Sequence, residues 1–259
     1  MKNLGDRMKG YEQSYDTSIM SRVPIIVRVD GKSFSKWTKK INAKKPFDLP
    51  LSEMMVEAMR YTASNIEGCV FGYTQSDEMT FVIRNDQSLE STPWFGNRVQ
   101  KICSVVSSMV TASFNLENVR YNGVNNIAHF DARVFAVPDV QEAINCLIWR
   151  QNDAVKNSIS ASCYYEVAEK IGKKTARKLM HGLNQNKQQE LLFQQTGINW
   201  NDYPVKFKRG VGTYRITYDT VIDGNECVRS KWKVDEEIPI FTRDTEFLYN
   251  LFKVGDQDE

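Results

Sequence analysis

The sequence predicts an α+β fold, a ferredoxin-like β-α-β-β-α-β sheet with two backing helices, and three observations carry that reading. A short β-branched apolar run, Pro24 to Val29, stops at Asp30-Gly31, where glycine supplies turn freedom. Two further strand-like runs, Cys69 to Thr74 and Met79 to Arg84, are separated only by Gln75-Ser76-Asp77-Glu78, which reads as a hairpin with an acidic tip. Helical apolar spacing then occurs once before and once after this hairpin, and an antiparallel sheet backed by two helices accommodates that order.

Taken along the chain, a Lys-rich connection ends at Pro46-Phe47-Asp48-Leu49-Pro50, and Met55, Ala58, Met59, Thr62 and Ile66 recur at helical spacing, predicting a helix over roughly Leu51 to Ile66. Val99, Ile102, Val106, Met109 and Val110 predict a second helix from Asn97 to Ser113. A strand from Ile127 to Val137 is closed by Pro138. Asp139 and Glu142 have the spacing of a capping box and open a helical region running towards Lys170. Shorter helices follow near Lys173 to His181 and Lys187 to Gln195, the second stopped by Gly197, and Val211 to Ile222 with Glu226 to Val234 form a hairpin around Asp223-Gly224-Asn225. The expected division is a palm-like unit, 1–138, and a helical, basic region with a C-terminal hairpin, 139–259, packed on it.

Composition narrows the class. The 259 residues are 41% hydrophobic and 25% charged, which excludes a disordered, collagen-like or mucin-like chain. Lysines and arginines exceed acids by only two, so the surface is not uniformly basic, although a balanced total can hide local patches. No run of about 18 apolar residues and no signal-peptide core is found, so a cytoplasmic protein with no membrane partner is expected. Cys69, Cys103, Cys146, Cys163 and Cys227 are widely spaced, as reduced thiols are, and no zinc site is expected.

The chemistry concentrates in the first half. Asp30 is expected just past the first strand and Asp77 with Glu78 at the tip of the hairpin. The first and third strands are neighbours in such a sheet, so the carboxylates converge on one edge. Two or three carboxylates beside a glycine suit a pair of Mg²⁺ ions, which take hard oxygen ligands and leave positions for phosphate and water, as in polymerase-palm phosphoryl transfer. Asp-Gly after a strand and Ser-Asp-Glu in a tight turn are equally ordinary turn chemistry, and the residues alone leave the two readings level. Cations that could neutralise a triphosphate are Arg28, inside the apolar strand, then Lys44 and Lys45, Arg98 and Lys101, and Arg133. In the second half Lys170, Lys173, Lys174, Arg177 and Lys178, then Lys206, Lys208 and Arg209 among Trp200, Tyr203 and Phe207, suit an RNA backbone or, equally, a solvated face. His129 and His181 have no partner at a catalytic spacing, and no phosphate loop or dinucleotide fingerprint occurs.

Arg28-Val29-Asp30-Gly31-Lys32-Ser33-Phe34, Lys45-Pro46-Phe47-Asp48, Gln75-Ser76-Asp77-Glu78, Phe130-Asp131-Ala132-Arg133-Val134 and Trp149-Arg150-Gln151-Asn152-Asp153 together resemble the tRNA(His) guanylyltransferase family of 3′-to-5′ reverse polymerases, in the same order and spacing. The likeness covers nearly the whole chain to about Arg215. It implies an enzyme that adds GTP and other nucleotides to the 5′ end of tRNA after 5′-adenylylation with ATP, uses two Mg²⁺ ions, and assembles as a homotetramer. Carried over, Asp30, Asp77 and Glu78 are catalytic, with Asp30, Asp77 and the Gly31 carbonyl as metal ligands. Arg28, Lys32, Ser33, Phe34, Lys45, Asp48, Ser76, Arg98, Lys101 and Arg133 form the nucleotide and triphosphate set, and Arg150, Asn157, Lys187, Lys208 and Arg209 face the tRNA 5′ end.

Members that add the extra guanylate to tRNA(His) in eukaryotes carry His-Ile-Asn-Asn where this chain has Val155-Lys156-Asn157-Ser158. The chain therefore resembles the bacterial, archaeal and phage branch, for which templated repair of truncated 5′ ends is implied, with tRNA(His) maturation as the alternative. More distant readings are a palm-type nucleotidyl cyclase, although its GG[DE]EF-like hairpin tip is missing, and a non-catalytic RNA-binding module.

Overall fold

The computed structural model describes residues 3–88, 90–123, 126–222 and 225–253. Among them the helices are α1 (Leu4–Gln13), α2 (Phe34–Lys40), α3 (Leu49–Ser64), α4 (Val99–Asn122), α5 (Val140–Ile171), α6 (Lys173–Met180), α7 (Gln185–Thr196), α8 (Val205–Arg209) and α9 (Thr245–Lys253). The strands are β1 (Ile25–Gly31), β2 (Cys69–Gln75), β3 (Glu78–Ile83), β4 (Phe130–Ala136), β5 (Val211–Ile222) and β6 (Asn225–Asp235). They form one antiparallel sheet in the order β4-β1-β3-β2-β5-β6. The first four strands with α3 and α4 are the expected β-α-β-β-α-β arrangement.

Alternation along β1 separates the two faces of the sheet. Ile25, Val27 and Val29 join Met55, Ala58 and Met59 of α3 and Ile102, Val106 and Val110 of α4 in the larger core. Ile26 points to the other face, where Phe71, Tyr73 and Val82 meet Ala143, Ile144 and Leu147 of α5 and Leu248 and Phe252 of α9. Burying each Val, Leu, Ile, Phe or Met among them stabilises the fold by about 1.5–3 kcal/mol. A third cluster, Ile159, Cys163, Val167, Ala176, Leu192 and Trp200, holds α6 and α7 against the C-terminal half of α5. Helix α1 buries no residue.

Caps set where the helices begin. The Asp48 carboxylate accepts the Leu51 N–H at 2.8 Å to start α3, and Asp139 accepts the Glu142 N–H at 2.8 Å to start α5. The hairpin β5–β6 adds to the sheet through β2, where Gly72–Thr74 pair with Val211–Thr213. Beyond Tyr214 its strands pair only with each other, a ribbon about 27 Å long at about 3.4 Å per residue.

Several sequence expectations need correction. β1 does not end before Asp30: it runs through Gly31, because β3 pairs with it as far as Asp30 and β4 as far as Gly31. Helix α4 continues past Ser113 to Asn122, since Phe114 and Asn118 are buried. β4 begins at Phe130 rather than Ile127 and ends at Ala136. The sequence pattern did not reveal α1, α2, α8 or α9. The expected turn residues Asp223 and Gly224 lie outside the described residues. All five cysteines are free thiols.

Candidate active site

Asp30 lies on the α5-facing side of β1, directly opposite Glu78 on β3 and Asp131 on β4. Asp77 occupies the two-residue turn between β2 and β3. Its backbone carbonyl accepts the Gly31 N–H at 3.1 Å, which fixes the turn against the end of β1, and its carboxylate accepts the Ser76 hydroxyl at 3.0 Å. Ser76 takes a left-handed conformation, φ 51°, that turns the chain here. Gly31 is required because a Cβ would meet the Phe34 ring at 2.3 Å.

Burial raises the pKa of Asp77, and the charges of Asp30 and Glu78 raise it further against the opposing hydrogen bond from Ser76. Asp30 is likewise raised by burial and then by Glu78 and Asp131, with Arg133 and Arg28 pulling the other way. Carboxylates held together against burial and like charge are electrostatically prepared for a cation. Among the described residues no three His, Cys, Asp or Glu side chains converge as a cage. A carboxylate pair with a nearby backbone carbonyl nevertheless fits Mg²⁺, which takes one or two carboxylates and completes its shell with phosphates and water.

Glu78 is held differently. Its Oε2 accepts from Arg28 Nη2 at 3.2 Å and lies 2.9 Å from Arg150 Nη2, and Arg150 also bonds Asp153 at 2.7 Å. Both guanidiniums lie over the Trp149 ring, 5.0 and 4.3 Å from its centroid. Arg28 therefore is paired inside its strand, as an apolar setting requires. Arg150, expected to face tRNA, is buried and grips Glu78 and Asp153 instead.

A cavity of about 690 Å³ opens beside Asp77. Its wall brings together Phe34, Lys45, Asp48, Ser76, Asp77 and Asn157 from the expected set. It adds Lys39, Lys44, Tyr165, Lys173 and Lys206; Lys39 and Lys44 belong to the Lys-rich connection evident in the sequence, whereas Tyr165 carried no sequence signal. Lys45 Nζ sits 5.7 Å from the Tyr165 ring centroid. The Asp48 carboxylate is occupied by the N–H groups of Lys44 and Leu51, so it shapes the lysine loop. The Phe34 ring belongs to the core, packed against Trp37, Phe130 and Phe114.

The other expected residues lie elsewhere. Arg133 faces the same side as Asp30 from β4 and pairs with Asp131 at 3.3 Å. Arg98 pairs with Asp16 at 3.6 Å, and Lys101 lies over the Phe95 ring. Lys32 is exposed, and Ser33 precedes α2 in a left-handed conformation. Lys208 donates to the Asn201 carbonyl, Arg209 donates to the Ile238 carbonyl at 3.2 Å, and Lys187 is exposed in the first turn of α7. Asp131 was not singled out as a site residue from sequence. Its two-residue spacing from Arg133 was the available signal, because it places both on one strand face.

Known proteins resemble this chain along most of its length. The family model described as tRNAHis guanylyltransferase matches residues 5–138, and the Thg1 C terminal domain matches residues 141–244. The "Probable tRNA(His) guanylyltransferase" of Drosophila melanogaster is 30% identical over 208 residues, 78% of this chain and 70% of that one. A bacterial tRNA(His) guanylyltransferase (Thg1)-like protein solved in complex with ATP is 38% identical with a TM-score of 0.83, covering 96% of this chain and 99% of the other. A bacterial protein of the same description in complex with GTP is 37% identical with a TM-score of 0.79, covering 97% and 99%. With its sheet, its paired carboxylates and the adjoining lysine-walled cavity, the chain belongs to the tRNAHis guanylyltransferase family and is a nucleotidyltransferase of that kind.

Proposed function

We propose that the protein adds nucleotides to the 5′ end of tRNA in the 3′-to-5′ direction, after 5′-adenylylation with ATP, and that its task is templated repair of truncated 5′ ends. The observation that carries this reading is the placement of Asp77, with Asp30 beside it, at the wall of a cavity large enough for a nucleotide and lined by Lys39, Lys44 and Lys45. The complexes of the bacterial relatives with ATP and GTP support it.

Asp30, Asp77 and the Gly31 carbonyl would hold two Mg²⁺ ions, which when bound neutralise phosphate charge and ease deprotonation of an attacking hydroxyl. Lys39, Lys44 and Lys45 bind the triphosphate of the activating nucleotide, and Ser76 orients the Asp77 carboxylate. Arg133, with Lys32 on the adjacent loop, serves the incoming nucleotide from the β4 side. Its 3′-hydroxyl attacks the activated 5′ phosphorus and displaces AMP. Residues 1–138 form the catalytic unit and 139–259 the tRNA-binding one, in a cytoplasmic homotetramer.

The test is a 5′-extension assay on truncated and full-length tRNA with all four NTPs. Template-dependent extension of truncated tRNA supports repair. Addition of guanylate only to full-length tRNA(His), the activity named for several relatives, would replace that reading with tRNA(His) maturation. Undiminished extension by Asp30→Ala or Asp77→Ala would remove the metal assignment.

A further inference from the structure

We infer that the exposed face of α6 is a track for the phosphate backbone of the tRNA acceptor stem, leading into the cavity beside Asp77; this rests on the reading of the protein as a tRNA 5′-end enzyme. The helix, Lys-Lys-Thr-Ala-Arg-Lys-Leu-Met, carries Lys173, Lys174, Arg177 and Lys178 and no acid. All four cations are exposed, while Ala176 on the opposite side is buried in the third cluster.

Three features make this face available to a polyanion. First, among the described residues the lysines with an ion-pair partner are Lys206 and Lys233, and none of the four α6 cations has one, so their charge can meet phosphate unneutralised. Second, two lysines in the first turn oppose the helix dipole, and no side chain caps that end, so their placement does not serve the stability of the helix. Third, the row is continuous with the site, because Lys173 also lines the cavity that contains Asp77, Lys45 and Asn157. Arg177 carries its guanidinium 5.5 Å from the Tyr164 ring centroid on α5, a contact that favours one placement of that cation.

Lys173 with Arg177, and Lys174 with Lys178, form two rows along the helix, the two cations of each row about 6 Å apart along its axis at about 1.5 Å per residue. That is the kind of spacing at which successive phosphates can be met without reading bases. Phosphate contacts position a nucleic acid without specifying sequence. The track therefore orients any acceptor stem with its 5′ end at the carboxylates and leaves the choice of nucleotide to the template strand.

The ribbon formed by β5 and β6 is the rival surface, since Arg229 and Lys231 are exposed on it and Lys231 lies 5.1 Å from the Tyr218 ring centroid. The test compares the full-length protein with Lys174→Ala/Arg177→Ala/Lys178→Ala and with Arg229→Ala/Lys231→Ala. Alanine keeps the α6 helix intact, and circular dichroism with thermal melting confirms the fold of each variant. The probe is a tRNA transcript lacking its first 5′ nucleotide, with affinity measured from low to high NaCl, and ATP binding is measured separately.

The triple α6 variant is expected to lose about three units of the slope of log K against log [salt], about one per phosphate contact, with ATP binding unchanged. The ribbon variant is expected to keep the wild-type slope. A wild-type slope in the α6 variant, an equal or larger loss in the ribbon variant, or a loss of ATP binding in the α6 variant overturns the assignment. Failure of the wild-type protein to bind or extend tRNA would instead defeat the proposed function, so the two failures are distinguishable.

Discussion

Asp77 and Asp30 hold their protons more tightly in the folded protein than in the unfolded chain, Asp77 chiefly because it is buried and then because Asp30 is near. The stability that goes with such a raised pKa is fully present below the ordinary value of 3.8 and is lost as pH rises through the raised value. Asp77→Asn should therefore raise the melting temperature at pH 7.5 in EDTA, by about 2–4 °C for each kcal/mol relieved, and the gain should shrink as the buffer approaches pH 3. Calorimetry across that range checks it. The same substitution should lower 5′-extension by about a hundredfold or more, the scale on which loss of a key electrostatic group acts. A variant more stable yet inactive is the expected mark of carboxylates arranged for a cation rather than for the fold. Extension by the wild-type protein should fall on the acid side as these carboxyls take up protons, and raising Mg²⁺ should move that limb to lower pH, because a cation favours the ionised form.

Glu78 makes the opposite case at the same scale. Two guanidiniums share its Oε2, and Glu78→Ala would leave Arg28 without that carboxylate and the buried Arg150 with Asp153 alone. Removing one partner from such a buried network costs about 3 kcal/mol. The urea midpoint of Glu78→Ala should fall accordingly, and that of Glu78→Gln should fall less, because the amide oxygen still accepts from one arginine. A midpoint for Glu78→Ala equal to wild type would show that the clamp does not stabilise the fold.

At the level of the elements, Gly210 closes α8 immediately before β5 with φ +87°, and a Cβ there would lie 2.5 Å from the Thr74 carbonyl oxygen. Gly210→Ala should destabilise by about 1–3 kcal/mol through strain alone and loosen the root of the ribbon, measurable as faster amide exchange at Val211–Thr213. The elements that the sequence revealed share one property, a side-chain period matched to burial. Met55, Ala58, Met59 and Thr62 announce α3 because all four are buried in it. The last turns of α4 stayed hidden because Asn115 and Asn118 look like surface residues yet turn inward to bond the carbonyls of Ala128 and Asn126. Helix α1 buries nothing and so leaves no apolar period directed at a core. For the site, Asp30, Asp77 and Glu78 were legible because turn and strand place them locally. The grip of Arg150 and Trp149 on Glu78 was not, since it depends on where a helix from the second half of the chain crosses the sheet.

Across the whole molecule, a net charge of only +2 conceals a division of labour. The carboxylates gather at one end of β1, β3 and β4, and α6 presents four cations without an acid. Between them runs α5, whose 32 residues span about 48 Å at about 1.5 Å each. Its first half packs Ala143, Ile144 and Leu147 beneath the sheet, and its second half packs Ile159, Cys163 and Val167 against α6 and α7. Arg150 and Ser158 lie on the helix between these halves, the first gripping Glu78 and the second accepting the Trp200 indole N–H at 3.0 Å. One rigid rod thus belongs to both cores, and neither can come apart without withdrawing a wall from the other. The expected thermodynamic result is cooperativity. Despite its two matched sequence regions, the protein should melt in a single calorimetric transition whose van't Hoff and calorimetric enthalpies agree, and Leu147→Ala, beneath the sheet, should lower the melting of the distant α6–α7 cluster by as much as it lowers that of the sheet.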